Sequence, residues 1–559
     1  MKKKLFILSF SLIVLLMLVL PACSKGTTTT TTSSSPVTTS KPATTTTVST
    51  TAATSSPTAT TSKPATTTST TATGNQQRGG TLKIAMISDA NYLGDPGEIT
   101  SQGHAMAKPC IEQLGRMDVS GQVVPWLADS WQTDATALTL TVKLKQGIKF
   151  QDGTPFDAKA VKWNWDYQIS TKSLNFKSVK SVDVVDTYTV RANLSKWDNA
   201  IVYELCNNGG CVVSPTTYQN NGTDYGQTHP VGTGPFVFVS WTKGVSVIYR
   251  KWDGYRQTGK PYLDGVEFQI IPDETTRSMA LQSHGIDIIL QGTSLQARDF
   301  KASGKFNLEI LDGANQTREY VMLPSSNTTT SPLAKSGVRQ AIEYAIDKNA
   351  IVDSLFLGYG IATNGFNLPS SWAYSPNVKG HAFNTATAKQ VLSAAGFPSG
   401  YSTTIYVDPQ TQDAGTAVAS MMTDAGVKTS VVPTSRTAMM ELFSKGWEGL
   451  LFVNQNPGGD TPTQMYGYYH TGGNPAYVSL LHSAELDGYL DATVTAPDFA
   501  SKQAASWKAQ EFMFNQTSHM IPLCVQEQVT ITWPTVHDDR FSLTSGEEWT
   551  PEDCWISSK

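Results

Sequence analysis

The stretch Leu144-Lys-Gln-Gly-Ile-Lys-Phe-Gln-Asp-Gly-Thr-Pro-Phe-Asp-Ala-Lys-Ala-Val161 changes its pattern twice. It continues Thr139-Leu-Thr-Val-Lys-Leu-Lys145, where apolar and polar residues alternate and predict a strand with one buried face. Asp152-Gly153-Thr-Pro155 is a turn signal, because Gly reaches backbone angles that other residues avoid and Pro fixes φ and lacks an N–H. From Ala158 to Ile169 the spacing is helical, with Ala160, Val161, Trp163, Trp165 and Tyr167 supplying the bulk. Strand, turn and helix in so short a span indicate an α/β chain.

The mixture extends in both directions. Thr81-Leu-Lys-Ile-Ala-Met-Ile87, Ser246-Val-Ile-Tyr-Arg250 and Val266-Glu-Phe-Gln-Ile-Ile271 read as strands. Thr275 to Ser283 reads as a helix, as do Val338 to Asp347 and Thr385 to Ala395, the last followed by Gly396 in the place of a C-cap glycine. From Gly79 to Lys559 the composition is that of a globular protein, and its length exceeds what one hydrophobic core organises, so two or more lobes are expected. The net charge of −4 argues against a nucleic-acid partner, which would need a basic face.

The N-terminus has a different character. Met1-Lys-Lys-Lys4 precedes an apolar run from Leu5 to Leu20, shorter than the roughly 20 residues of a spanning helix, and Leu20-Pro-Ala-Cys23 follows. This is the layout of an export signal over residues 1–22. Cys23 after Leu-Pro-Ala resembles the lipobox of bacterial lipoproteins, which implies acylation of its thiol. Residues 27–73 contain almost nothing except Thr, Ser, Pro and Ala, and Ser-Lys-Pro-Ala-Thr-Thr-Thr occurs at Ser40 and again at Ser62. Such a segment has too little apolar surface to offset the entropy of folding. Residues 23–78 are therefore expected to be an anchored stalk, with a coil dimension on the order of 40 Å.

Several phrases in the globular part resemble the extracytoplasmic solute-binding proteins of peptide and nickel ABC importers. They are Gly121-Gln-Val-Val-Pro-Trp-Leu-Ala-Asp-Ser-Trp131 with the stretch from Leu144, Pro230-Val-Gly-Thr-Gly-Pro-Phe236, Lys260-Pro-Tyr-Leu-Asp-Gly-Val266, Pro272-Asp-Glu-Thr-Thr-Arg277 and Val338 to Asp347. Gln151 stands where that family usually has His, and Lys159-Ala160 replaces its usual acidic residue. The resemblance implies a two-lobed periplasmic-binding-protein-like α/β fold of the large type II class, with an extra subdomain and mixed sheets joined by hinge strands. It places lobe I with its extra subdomain at residues 79–312, lobe II at 313–525 and a return to lobe I at 526–559. The implied function is capture of a small solute between the lobes and delivery to a membrane permease, outside the cytoplasm and anchored by lipid, by a monomer without cofactor or resident metal.

Peptide-binding relatives hold the ligand's amino group with an aspartate in a lobe II segment that corresponds to Trp447-Glu-Gly-Leu-Leu-Phe-Val-Asn-Gln-Asn-Pro-Gly-Gly-Asp-Thr-Pro462. One alignment puts Asn454 in the place of that aspartate and another assigns the acidic role to Asp460. A carboxylate binds an ammonium by a charge-assisted bond and an amide does not, so Asn454 and Gln455 suit hydroxyls or amides. The expected solutes are therefore an oligopeptide, an opine, a sugar or a metal chelate. Tyr92, Trp372, Tyr374 and Tyr466 are candidate stacking residues, and Asp95 lies in a loop resembling one near the family's cleft mouth. His470 and His482 are available in lobe II for a chelated metal.

Five cysteines remain beyond Cys23. Cys206 and Cys211 flank Asn-Asn-Gly-Gly and are expected to form a local disulfide, Cys524 with Cys554 is a weaker pairing, and Cys110 is expected simply to be buried. His-Glu-x-x-His, Gly-x-Ser-x-Gly, a phosphate loop and Cys-x-x-Cys are all absent from the sequence, so an enzyme is not expected. The alternatives are a surface ligand sensor and a ligand-processing hydrolase whose two carboxylates lie apart in sequence.

Overall fold

The computed structural model describes residues 76–99, 101–118, 121–173, 176–310, 318–455, 460–473, 477–540, 549 and 551–558. The expected export signal, Cys23 and the stalk up to residue 75 lie outside them. Among the described residues no helix is long and apolar enough to cross a membrane.

Thr139–Leu144 is a strand of a four-stranded antiparallel sheet, between Ala128–Asp134 and Thr189–Leu194, with Val179–Asp186 at the far edge. The helix Ala158–Ser170 starts at Asp157, whose carboxylate accepts from the backbone N–H groups of Lys159 and Ala160. Val161 and Trp165, four residues apart on that helix, share a buried cluster with Leu140, Val142, Val182 and Val190 of the sheet. Gln151 in the preceding turn donates to the carbonyls of Gly234 (3.0 Å) and Phe236 (2.8 Å). The Gly232-Thr-Gly-Pro segment itself lies against the chain at Cys110, and a Cβ at Gly232 would stand 2.1 Å from the Cys110 carbonyl oxygen. Close backbone approach accounts for that motif.

A second sheet has seven strands in the order Asn307–Ile310, Val529–Thr532, Ile288–Gly292, Thr81–Met86, Gly265–Ile270, Ser246–Lys251 and Phe236–Thr242. Thr81–Met86 runs parallel to both of its neighbours, and the other pairings are antiparallel. Alternation sends Leu82, Ile84, Met86 and Ile288 into one cluster and Ala85, Ile289 and Ile531 into the cluster on the other face.

The third sheet has six strands in the order Gly360–Ala362, Ile521–Gln526, Arg318–Pro324, Leu450–Gln455, Tyr401–Val407 and Val427–Pro433. It too is covered on both faces, with Met322, Ile405 and Phe452 in one cluster and Val321, Leu323 and Leu451 in another. The strand Ile521–Gln526 ends this sheet's share of the chain, and Val529–Thr532 belongs to the seven-stranded sheet. Only Glu527 and Gln528 separate the two.

One expectation is corrected in detail. The helix that begins at Ser336 stops at Ala345, and Asp347 caps a new helix, Lys348–Leu355, by accepting from the Ala350 N–H. Arg339 is buried and donates to the carbonyls of Leu333, Ala334, Thr517 and Ser518. All five cysteines are buried. Cys206 ends the 3₁₀ helix Asn199–Cys206, with its Sγ donating to the Tyr203 carbonyl, whereas Cys211 is held by a bridge to Gln113. Cys524 and Cys554 belong to different clusters, one with the six-stranded sheet and one with the seven-stranded sheet.

Candidate ligand-binding site

The helices around the six-stranded sheet bring a buried acid and base together. Asp460 precedes the helix Thr461–Tyr469, where the helix's partial positive charge favours a carboxylate. Lys502 lies in the first turn of Phe499–Glu511, a helix started by Asp498, whose carboxylate accepts from the N–H and hydroxyl of Ser501. Lys502 Nζ donates to Asp460 Oδ2 at 2.6 Å, and Thr463 Oγ1 donates to the same oxygen at 2.8 Å. Asp460 is 5% exposed, and its other oxygen, Oδ1, is buried without a hydrogen-bond partner among the described residues.

This pair lines a cavity of about 260 Å³ whose opposite wall comes from the four-stranded unit. Trp131, Trp197 and Tyr203 face it from that side, and Trp372 and Phe499, packed on each other at 5.0 Å, from the other. The walls are joined at the rim. Trp197 Nε1 donates to the Ala496 carbonyl at 3.1 Å, and Asn199 Nδ2 donates to the carbonyls of Thr493 (2.8 Å) and Ala496 (3.1 Å). Those carbonyls close the helix Ala484–Thr495, so the four-stranded unit caps a helix end belonging to the other side.

Glu204 lies on the 3₁₀ helix that supplies Val202 and Tyr203 to the wall. Burial above all, then the charges of Asp198 and Asp460, push its carboxyl up to about 8, against the opposing influence of the Gly209 N–H and Lys177. A further cavity, about 250 Å³, adjoins the crossing at Gln526 to Gln528 and is lined by Arg277, Gln291 and Thr293.

Of the eight residues expected to meet a ligand, the first cavity brings together Trp372 and Asp460. Asn454 lies on the strand Leu450–Gln455 and donates to Gln410 Oε1 at 3.2 Å. Gln455 pairs in register with Glu319, a buried carboxyl that burial pushes up to about 8. Tyr374 lines a different, smaller cavity, and Tyr466 stacks on His470. Asp95 is buried, with its carboxylate accepting from Tyr167, Gln227 and the Gly97 N–H, which ties its loop to the helices Ala158–Ser170 and Thr223–Thr228. Tyr92 is half-buried in the same loop, outside the cavity's lining. His482 is bonded to the Tyr469 carbonyl. Sequence reasoning missed Trp131, Trp197, Asn199, Phe499 and Lys502. The helix-start signature at Asp498 was visible, but not what it faces.

Sheets of four, seven and six strands and a cavity walled from two sides frame the candidate site. Residues 122–476 match the model of the bacterial extracellular solute-binding proteins, family 5, and the chain belongs to that family. It is 30% identical over 467 residues to the glutathione-binding protein GsiB of Salmonella paratyphi A, covering 78% of this chain and 86% of the relative. Two solved structures share the fold. One is the periplasmic binding protein DppA of Helicobacter pylori in complex with the peptide STSA (TM-score 0.70, 20% identity, 86% of this chain and 99% of that one). The other is NikA of Brucella suis in complex with Fe(III)-EDTA (TM-score 0.72, 22% identity, 84% and 100%). The resemblance in the sequence thus identified the right family, one of extracytoplasmic binding proteins of ABC importers and not of enzymes.

Proposed function

We propose that this chain is the lipid-anchored receptor of an ABC importer, monomeric, and that it encloses a small solute between the four-stranded unit and the helices of the six-stranded sheet. The observation that supports this most is the cavity with Asp460 on one wall and Trp131 and Trp197 on the other, fastened by Asn199. A site whose walls belong to separately packed units forms when the units meet, so occupancy and closure are one equilibrium. GsiB is named for glutathione, DppA was solved with a peptide and NikA with a metal chelate. All are small polar solutes, and this chain is assigned the same broad class. Cys23 and the Thr-rich stalk fit an anchor that leaves the receptor free to reach a permease.

The test is mass spectrometry of the purified protein for a co-purifying compound, followed by thermal titration with that compound. The melting temperature should rise with the logarithm of excess solute. Finding no bound compound, and no stabilisation by a broad panel of peptides, opines, sugars and chelates, overturns the proposal.

A further inference from the structure

We infer that the cavity at the crossing between the six- and seven-stranded sheets is a second binding site, which takes a carboxylate or another oxyanion on the guanidinium of Arg277. The site is separate from the proposed solute enclosure, and no described residue lines both cavities. It lies at the carboxyl ends of three neighbouring parallel strands. Ile87 follows Thr81–Met86, Pro272 lies just beyond Gly265–Ile270, and Gln291 and Gly292 end Ile288–Gly292. Thr81–Met86 has a later strand on each side, so the connections leave its end in opposite directions. That is where open α/β sheets leave a crevice for ligands. Gln526, Glu527 and Gln528, which carry the chain from one sheet to the other, line the same cavity.

The charge in the cavity is the main ground. Arg277 is 3% exposed, and its Nη1 donates to the carbonyls of Ile271 (2.8 Å) and Pro272 (2.6 Å). Its Nε is enclosed without an acceptor. Nη2 also has no acceptor among the described residues but is not enclosed, which leaves it toward the cavity that Arg277 lines. The acids whose charge it feels are engaged elsewhere. Glu274 Oε1 accepts from Thr293 Oγ1 at 2.8 Å, and Asp273 Oδ1 accepts from the N–H and hydroxyl of Thr276. A buried guanidinium bonded only to carbonyls has lost its water without gaining a counter-charge, and an oxyanion supplies one through a charge-assisted bond.

The crossing adds neutral donors. Gln526 Oε1 accepts from the Tyr320 hydroxyl at 3.3 Å, which leaves its N–H₂ group, and Gln528 brings a second amide. Glu527 lines the cavity as well and is the competing charge. It fixes the sign of a test, since an anion gains when Glu527 is neutralised and a cation loses. A volume of about 250 Å³ has room for several waters, so a carboxylate on a short polar chain fits as well as a bare oxyanion.

The full-length protein, purified in detergent, is titrated calorimetrically with acetate and inorganic phosphate against a sodium chloride blank of equal ionic strength, and with N-acetyl-dialanine beside its C-terminal amide. Saturable binding of acetate or phosphate identifies a free oxyanion as the occupant. Tighter binding of N-acetyl-dialanine than of its amide, without binding of acetate or phosphate, identifies the carboxylate of a solute. In either case Arg277→Gln should lower the affinity by about tenfold to a hundredfold, the worth of one charge-assisted hydrogen bond. That change also strands the carbonyls of Ile271 and Pro272, so two variants at half-buried positions repeat the test. Gln528→Glu, which sets a carboxylate in the cavity, should lower the affinity, and Glu527→Gln should raise it. No binding of acetate or phosphate together with equal treatment of the acid and the amide overturns the inference. So does an affinity that Gln528→Glu leaves unchanged, or one that falls in Glu527→Gln, the mark of a cation site. None of these results touches the importer reading, which falls only with the wider solute panel.

Discussion

Substituting Asn199 by alanine tests whether the rim contact holds the two sides together. Asn199 Nδ2 donates to the carbonyls of Thr493 and Ala496, while its Oδ1 is buried without a partner. Two neutral hydrogen bonds contribute about 1 kcal/mol each, somewhat more at a helix C-terminus, where the carbonyls carry partial negative charge. The unsatisfied Oδ1 costs about 1 kcal/mol. The net bias toward the closed arrangement is thus about 1–2 kcal/mol, a factor of roughly 5–30. If the closed arrangement is the one that retains solute, the apparent Kd of Asn199→Ala rises by that factor. The melting temperature without solute should stay within about 1–2 °C, because Asn199 belongs to none of the large buried clusters. Calorimetric titration reads the Kd, and small-angle scattering with saturating solute reads the closure. Wild-type affinity together with a wild-type decrease in radius of gyration would falsify the assignment of closure energy to this contact.

Two further outcomes are expected. Cys23→Ser should remove incorporation of labelled palmitate and move the protein from the detergent to the aqueous phase in a phase-separation assay; a variant that stays acylated refutes the anchor. Glu319 is raised from an ordinary carboxyl value to about 8 in the folded chain, so the folded state holds a proton that the unfolded state has lost between about pH 4.5 and 8. Its contribution to stability is therefore complete below the unfolded value and declines as the pH rises, by an amount on the order of 4 kcal/mol at pH 8. Glu319→Gln should be nearly neutral at pH 4 and raise the melting temperature at pH 8; equal effects at both pH values would show that the carboxyl is not perturbed.

What could be read without the structure follows from the range of the forces involved. Alternation from Thr139 and the helical spacing of Val161 and Trp165 are local consequences of burial on one face, and both elements form as written. The helix at Val338 was read too long because Ile346 continues the apolar rhythm, although Asp347 is better at starting a helix than at sitting within one. Trp372 and Asp460 could be nominated by residue type and family position. Their cavity partners could not, since Trp197 and Asn199 meet carbonyls almost three hundred positions away, and backbone acceptors have no residue signature. The surroundings of the Cys206 to Cys211 segment were out of reach for a related reason. Asn-Asn-Gly-Gly looks like an exposed turn, yet Gly209 and Gly210 are buried, and the Gly209 carbonyl accepts from the Trp165 indole at 2.9 Å.

The rim contact and the aromatic cavity have to be balanced against each other. Were the two sides to open, the last carbonyls of Ala484–Thr495 would be solvated, and closure would exchange water for Asn199 and Trp197. That exchange contributes only about 1–2 kcal/mol, and ordering two units against each other costs entropy. The rim alone therefore leaves both arrangements populated. A solute bound as proposed would add burial of the Trp131, Trp197 and Trp372 faces at about 25 cal/mol per Å². Only that sum is large enough to make the closed form dominant. A much stronger rim would close the receptor before it loads, and its closed state would no longer report occupancy to the permease.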